Sequence, residues 1–379
     1  MGAGGLPVAR ILGIEIRISM AWVVLVALIA VVGAQQASLS DANLNPVVQL
    51  GIGIVVALLF LATVITHELT HALVGRRRGV PATAIVLGFI GGLAPLSIQA
   101  ESARDELVIA FAGPIVSFAM GAVLAVAGVL LGSILPASAP IAGGIVVVGV
   151  LNLILAILSL LPAMPLDGGR VVRALAWART GDRDRAYRTT ARVGRMVGWT
   201  ILGAGVALIL ADLVTEGLIG IALGWLLNTG ARTGERRLAL QQLLRGARVS
   251  DAMRVDVPFV GPNLTIDTFA NRFEGQDAVA AMPVVDDDRV VGVLGRKRLI
   301  RLGKRRFGGT RVDEVMAAPP QAPVLAPSDA LWDAVEAMNE AGLDGLAVAD
   351  DGRLAGLITR ESLGDAIRSL AAAQAARSA

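Results

Sequence analysis

The chain contains two histidines, and they stand one helical turn apart in His67-Glu68-Leu69-Thr70-His71. On a helix the i, i+4 spacing puts both imidazoles on one face, close enough to share a tetrahedral zinc ion. Glu68 then lies beside the metal, where its carboxylate can take a proton from water. A chance match on a polar patch is the bland alternative. The neighbours argue against it, because Leu61 and Ile65 precede the motif and Ala72, Leu73 and Val74 follow it. Two imidazoles and a carboxylate in so apolar a run are costly unless they have partners.

Two imidazoles hold a metal weakly, so a third ligand is expected. The stretch Leu160-Leu161-Pro162-Ala163-Met164-Pro165-Leu166-Asp167-Gly168-Gly169 offers one. Its prolines and glycines break a helix and aim a short carboxylate, Asp167, out of an otherwise apolar segment. Asp167 alone reads equally well as an interfacial helix terminator, and the unfilled zinc shell favours the ligand. Water in the fourth position makes such a site catalytic.

Membrane helices must carry these residues. Apolar runs recur through the first 230 residues, and the 379-residue chain is 55% hydrophobic and 17% charged with a mean hydropathy of +0.68. Six candidate spans fall at about 17–35, 50–75, 106–131, 141–162, 196–212 and 214–230, each near the ~20 residues that cross ~30 Å of hydrocarbon. Segments 36–48, 132–140 and 212–217 hold no Lys or Arg. Arg10, Arg17, Arg76 to Arg78, the group from Arg170 to Arg195, and Arg232, Arg236 and Arg237 lie on the opposite side. The positive-inside rule therefore predicts cytoplasmic termini, and the preference for Arg over Lys hints at a bacterial genome and so at a prokaryotic plasma membrane. His67 precedes Arg76 by nine residues, roughly 13 Å along the axis, in the inner half of the bilayer. Asp105 and Glu106 are expected to serve the dipole at the start of the third helix, and the arginines from Arg170 to Arg195 to anchor at the membrane surface.

Residues 81–100 do not read as a seventh helix, being bounded by Pro81 and Pro95 and broken by Gly88, Gly91 and Gly92. A strand or hairpin is expected there, re-entrant against protein or a watery cavity. After residue 231 the composition becomes that of a soluble domain. Val249-Ser-Asp-Ala-Met253 is echoed by Val312-Asp-Glu-Val-Met316, and Arg289-Val-Val-Gly-Val-Leu294 by Arg353-Leu-Ala-Gly-Leu-Ile358. The repeat predicts two copies of a small α/β unit packed as a pair. The expected division is a membrane domain over 1–231, a linker over 232–247, the pair over 248–370 and a frayed tail over 371–379.

Several functional classes are excluded. A sequence pI near 10.1 reflects few titrating groups, since the net charge is only +3. No basic block with interleaved aromatics appears, so no nucleic-acid partner is expected. The absence of cysteine excludes disulfides and thiolate metal sites.

Together, the HExxH on the second membrane helix, Leu166-Asp167-Gly168 after a Pro-broken fourth helix, Gly91-Gly92, and Ala112-Gly113-Pro114 in the third helix resemble the site-2 protease family of zinc intramembrane metalloproteases. The C-terminal pair resembles tandem CBS domains, as in one prokaryotic branch of that family. The resemblance implies a polytopic α-helical membrane protein, with six transmembrane helices and a re-entrant β segment, followed by an α/β CBS pair. It implies one Zn2+ per chain and regulated intramembrane proteolysis of single-pass membrane proteins, such as a membrane-bound anti-sigma factor or transcription regulator. The 85–94 strand, with Gly91 and Gly92, would pair with an unwound substrate by edge addition.

The pattern departs at two places. Family members commonly carry Asn eight residues before the aspartate, where this chain has Ser159. Ser159 is the expected substitute in substrate binding, while Asn152 either contributes or bonds another helix. The CBS ribose-contact pattern Gly-x-x-Thr-x-x-Asp becomes Gly292 to Arg298 and Gly356 to Ser362, both without the aspartate. Adenosyl-nucleotide binding is thus in question, and homodimerisation or gating through the pair is an equal expectation. Two other classes stand beside proteolysis: a CBS-gated metal ion transporter and a non-catalytic membrane regulator.

Overall fold

The computed structural model describes residues 5–80, 84–88, 100–272 and 281–378. It divides into one compact unit over Gly4–Leu238 and a second that, apart from the first three residues, covers Ala239–Ala379.

The first unit opens with a hairpin, β1 (Leu6–Ile11) and β2 (Ile14–Ile18), turned at Leu12 and Gly13, both at positive φ. Ile14, Ile16 and Ile18 alternate inward while Glu15 and Arg17 face out and pair at 3.1 Å. The first apolar run was expected to be helical from residue 17. The Ile-Glu-Ile-Arg-Ile alternation makes its start a strand instead, and α1 covers Met20–Ser40. β3 (Ala84–Leu87) adds to β2 in parallel, giving the order β1-β2-β3, so β3 is one of the two edge strands of the described sheet. The rest of the expected re-entrant segment, including Gly91 and Gly92, lies outside the described residues.

α2 (Pro46–Arg77) starts where the Asn45 side chain accepts from the Val47 amide, with Pro46 at the first helical position. α3 (Ala103–Ile134) is capped by Ser102 on the Asp105 amide. α4 (Ala139–Ser159) packs closely on α3, and a Cβ on Gly121 would lie 2.9 Å from the Gly149 carbonyl oxygen. Small residues of this kind let helices approach where lipid supplies no hydrophobic drive. α5 (Asp167–Thr180) ends at Gly181 in the left-handed region, and α6 (Arg183–Leu210) begins on an Asp182 cap. α7 spans Val214–Leu243.

Among the described residues, five stretches are long and apolar enough to cross a membrane: Met20–Ser40, Pro46–Arg77, Ala103–Ile134, Pro136–Ser159 and Arg183–Leu210. They match the first five expected spans, with shifted bounds. The sixth, 214–230, falls in α7 and does not join them, because Thr215, Glu216, Asn228 and Thr229 dilute its apolar run. Val24, Val55, Ile115, Phe118 and Val126 are exposed on the outer faces of these helices, as a lipid-facing surface requires.

The second unit is a four-stranded antiparallel sheet of order β4-β5-β7-β6, with β4 Ala281–Asp286, β5 Arg289–Gly295, β6 Gly345–Asp350 and β7 Arg353–Thr359. Its helices are α8 (Ile266–Arg272), α9 (Arg296–Leu302), α10 (Val312–Val315), α11 (Leu331–Ala341) and α12 (Arg360–Ser378). Arg289 and Arg353, which begin equivalent strands, pair at the centre. Both hairpins carry an irregularity at the same place, between Val284 and Val285 and between Val348 and Ala349. The segment entering each copy also bridges a strand of the other, Arg254 with Leu357 and Ala317 with Val293. Residues expected as a linker are helical to Leu243, and the expected frayed tail is helical to Ser378, as its alanines favour.

Candidate metal centre

His67 and His71 are buried on one face of α2, their rings 4.8 Å apart between centroids and nearly perpendicular at 74°. The wall they face is a stripe of α3 at four-residue spacing, Ile109, Gly113 and Ser117. His71 Nδ1 donates to the Ile109 carbonyl at 2.7 Å, and His67 Nδ1 lies 2.8 Å from the Ser117 hydroxyl. With each Nδ1 engaged, both Nε2 atoms are left to point into the same space, 3.1 Å apart. Asp167 Oδ2 completes the group at 3.3 Å from His67 Nε2 and 3.2 Å from His71 Nε2. Donors at ~2.0–2.1 Å from a tetrahedral zinc sit about 3.3 Å from one another. The three side chains therefore form a set with one ligand atom each, spaced as one small cation requires. Gly113 leaves the room, since a Cβ there would stand 2.6 Å from His67 Nε2.

Asp167 reaches the histidines because it is the first residue of α5, and that start is wedged against the break after α4. A Cβ on Gly169 would lie 2.6 Å from the Met164 amide nitrogen, and one on Gly168 would collide with the Leu160 and Leu161 backbone. One turn further along α5, Arg170 and Arg173 close on Glu106 of α3 at 2.9 and 2.6 Å. Glu106 is only 3% exposed. Glu106 stands in the first turn of α3, where the helix dipole was expected to hold it, and the two arginines add a second role. This ion triad clamps the helix bearing Asp167 onto the helix that orients both imidazoles.

Glu68 follows His67 on α2 and is partly buried. Asn152 and Ser159 are not drawn into the cluster. Asn152 Nδ2 donates to Thr63 Oγ1 at 2.9 Å, tying α4 to α2, and the buried Ser159 hydroxyl donates to the Ala156 carbonyl at 3.0 Å. At the two ribose-contact positions, Arg298 donates to the Val315 and Met316 carbonyls, while Thr359 and Ser362 bond each other at the start of α12. Sequence reasoning did not assign Ser117, the Ile109 carbonyl or the Glu106 clamp. The available signal was a carboxylate, a glycine and a serine on one stripe of an apolar helix, at 106, 113 and 117.

The model of peptidase family M50 matches residues 55–145 and 136–202, and the CBS domain model matches residues 249–305 and 312–369. A Mycobacterium tuberculosis protein named as zinc metalloprotease Rip3 is 33% identical over 310 residues, 80% of this chain and 77% of its own length. Zinc metalloprotease MJ0392 of Methanocaldococcus jannaschii is 26% identical, covering 82% of this chain and 84% of that protein. A solved site-2 protease from Methanocaldococcus jannaschii aligns with 61% of this chain and 95% of its own at 24% identity, with a TM-score of 0.41.

Proposed function

The chain belongs to peptidase family M50 and is a multi-pass membrane metalloprotease with a tandem CBS pair, and from that premise we propose that His67, His71 and Asp167 hold one zinc ion at which Glu68 serves as general base in the cleavage of single-pass membrane proteins. The observation that carries this reading is the approach of the two Nε2 atoms and Asp167 Oδ2 to within 3.1–3.3 Å of one another. Such spacing is repulsive among two neutral imidazoles and a carboxylate unless a cation lies between them. Bound there, zinc supplies Lewis-acid polarisation of the scissile carbonyl and acidifies water.

The chain's own groups do the rest. Ser117 and the Ile109 carbonyl hold the two rings so that Nε2 faces inward. The Glu68 carboxylate accepts a proton from the attacking water and returns it to the leaving amine. The helices bounding the cluster keep bulk water out, so that the electrostatic interactions inside it are strong. An unwound stretch of substrate adds to β3 by main-chain hydrogen bonds, a reading supported by the position of Ala84–Leu87 at the edge of the described sheet. The apolar first half of α7 acts as the sixth crossing and sets both termini in the cytoplasm, in keeping with the arginine-rich segments on that side. Asn152 belongs to helix packing in this scheme. The CBS pair regulates the protease without an adenosyl nucleotide, supported by the internal bonds at Arg298, Thr359 and Ser362.

Family membership leaves the transporter reading without an observation to favour it. The test is cleavage of a co-expressed single-pass protein by the wild-type chain and by Glu68→Gln. The variant should lose about 10²–10⁴-fold in rate while binding zinc at the wild-type ratio. Undiminished cleavage by the variant would refute the assignment.

A further inference from the structure

The largest group of like charges along the chain lies in the CBS pair and, Arg298 apart, has no part in the scheme above. Between Asp288 and Asp313 there are nine basic residues, Arg289, Arg296, Lys297, Arg298, Arg301, Lys304, Arg305, Arg306 and Arg311, and no acidic one, in a chain whose net charge is +3. The chain's two lysines both fall here.

The structure sorts these cations. Arg298 turns inward to main-chain carbonyls and Gln321, Lys297 is shared with Asp344, and Arg311 pairs with Asp313. No acidic side chain among the described residues lies within ion-pair distance of Arg296, Arg301 or Arg306, and all three are exposed. α9 is two-faced: Leu299 and Leu302 pack against the core of the first copy, while Arg296, Lys297, Ile300 and Arg301 face solvent. Ile300 is 70% exposed in the middle of these charges.

We propose that this surface of α9 and the following Lys304–Gly309 turn docks on the anionic phospholipid headgroups of the membrane that the chain itself spans. Basic side chains draw a tethered domain to an anionic leaflet, and an aliphatic side chain among them can seat at the acyl boundary. Tethering matters, because a surface joined to spanning helices meets headgroups at a high effective concentration even when each contact is weak. Nucleic acid suits the patch less well: it offers no exposed aromatic ring for base stacking, Phe307 being partly packed into the core. The inference requires only that the chain spans a membrane, and is independent of which residues hold zinc.

The chain has no cysteine, so Ile300→Cys gives a single labelling site on the full-length protein. It would carry an environment-sensitive fluorophore in nanodiscs of phosphatidylcholine alone or with phosphatidylglycerol, each also prepared with nitroxide-bearing lipid. The expected result is a blue shift and nitroxide quenching in the phosphatidylglycerol discs only. Both should vanish when salt rises from about 0.1 M to about 1 M, which shortens the screening length from ~10 Å to ~3 Å. R296E/R301E/R306E should abolish the response, and a variant that fails to fold leaves the lipid comparison on the native patch to decide. Equal emission in both discs, or a response that survives high salt, would overturn the proposal. So would a shift in phosphatidylcholine discs on adding inorganic phosphate or single-stranded RNA with no effect of phosphatidylglycerol, since the patch would then serve free phosphate or nucleic acid. Discs present the same lipid on both sides, so an error in the proposed orientation leaves the readout unchanged, and cleavage by the unlabelled chain reports separately on the protease reading.

Discussion

Two ion triads of the same chemical kind, a carboxylate between two cations, sit in very different surroundings. In the membrane unit, Glu106 is 3% exposed and held by Arg170 and Arg173. In the CBS unit, Asp344 is held by Lys297 and Arg360 with half of each cation's side chain in solvent. The Glu106 carboxylate has almost no water to fall back on, so it depends on both arginines. The second triad exchanges protein partners for water at little cost. In the membrane unit Ser117, Glu106 and Asn152 are buried and orient a ring or join two helices, whereas most charge in the CBS unit lies on the surface and leaves the fold to its repeated apolar pattern.

Substitutions put that contrast to the test. Gly113→Ala should have the largest effect, because the new Cβ enters the space between the two Nε2 atoms. Zinc content should fall to background with activity, while the CBS unit keeps its melting transition; normal zinc stoichiometry would show that the space is not the metal's. Next comes the direct comparison. Glu106→Leu should cost about 3–5 kcal/mol, as for removing one partner of a buried pair, and should loosen zinc by freeing α5. Asp344→Leu should cost no more than about 1 kcal/mol; thermal melts of the two variants in one detergent, together with zinc competition, would read the difference. If the two cost the same, the contrast in surroundings carries no energetic weight.

Ser117→Ala should weaken zinc binding by about 10–100-fold through the loss of one ring's support, measured by chelator competition, with Ser117→Thr restoring part of it. The smallest effect is a pH dependence. Partial burial raises the Asp344 carboxyl, and hydrogen bonds from Lys297 and Arg360 outweigh it, leaving the group below its ordinary value. A depressed folded value means the stabilisation is present above the unfolded value of about 3.9 and lost as pH falls through the folded one. Wild type should therefore lose slightly more stability on acidification than Asp344→Asn, and identical acid profiles would remove that contribution.

Much of this was legible in the sequence, for identifiable reasons. The HExxH spacing and the Pro- and Gly-rich start of α5 are local, so His67, His71 and Asp167 could be named before any fold was known. The CBS pair announced itself because a repeat is read against its own copy. The N-terminal hairpin was overlooked although Ile14 to Ile18 alternates with period two, because the apolar run beyond it masked the shorter signal. Ser117 and Glu106 were out of reach for another reason: their partners lie 50 and 64 or 67 residues away, and a contact between helices leaves no periodicity in either. α7 shows the limit of hydropathy, since a helix that leaves an apolar stretch and continues through Arg232, Arg236 and Arg237 has no composition of its own.

The hold on His71 has a consequence for drift. Its Nδ1 is gripped by the main-chain oxygen of residue 109, a group that every amino acid brings with it. Codon changes at 109 are therefore filtered by bulk alone and never by hydrogen-bonding capacity, whereas at 117 the tether is the side chain itself. A saturation library scored for zinc retention would tolerate many aliphatic replacements at the first position and few of any kind at the second, so that two anchors of the proposed metal site would carry very unequal mutational loads.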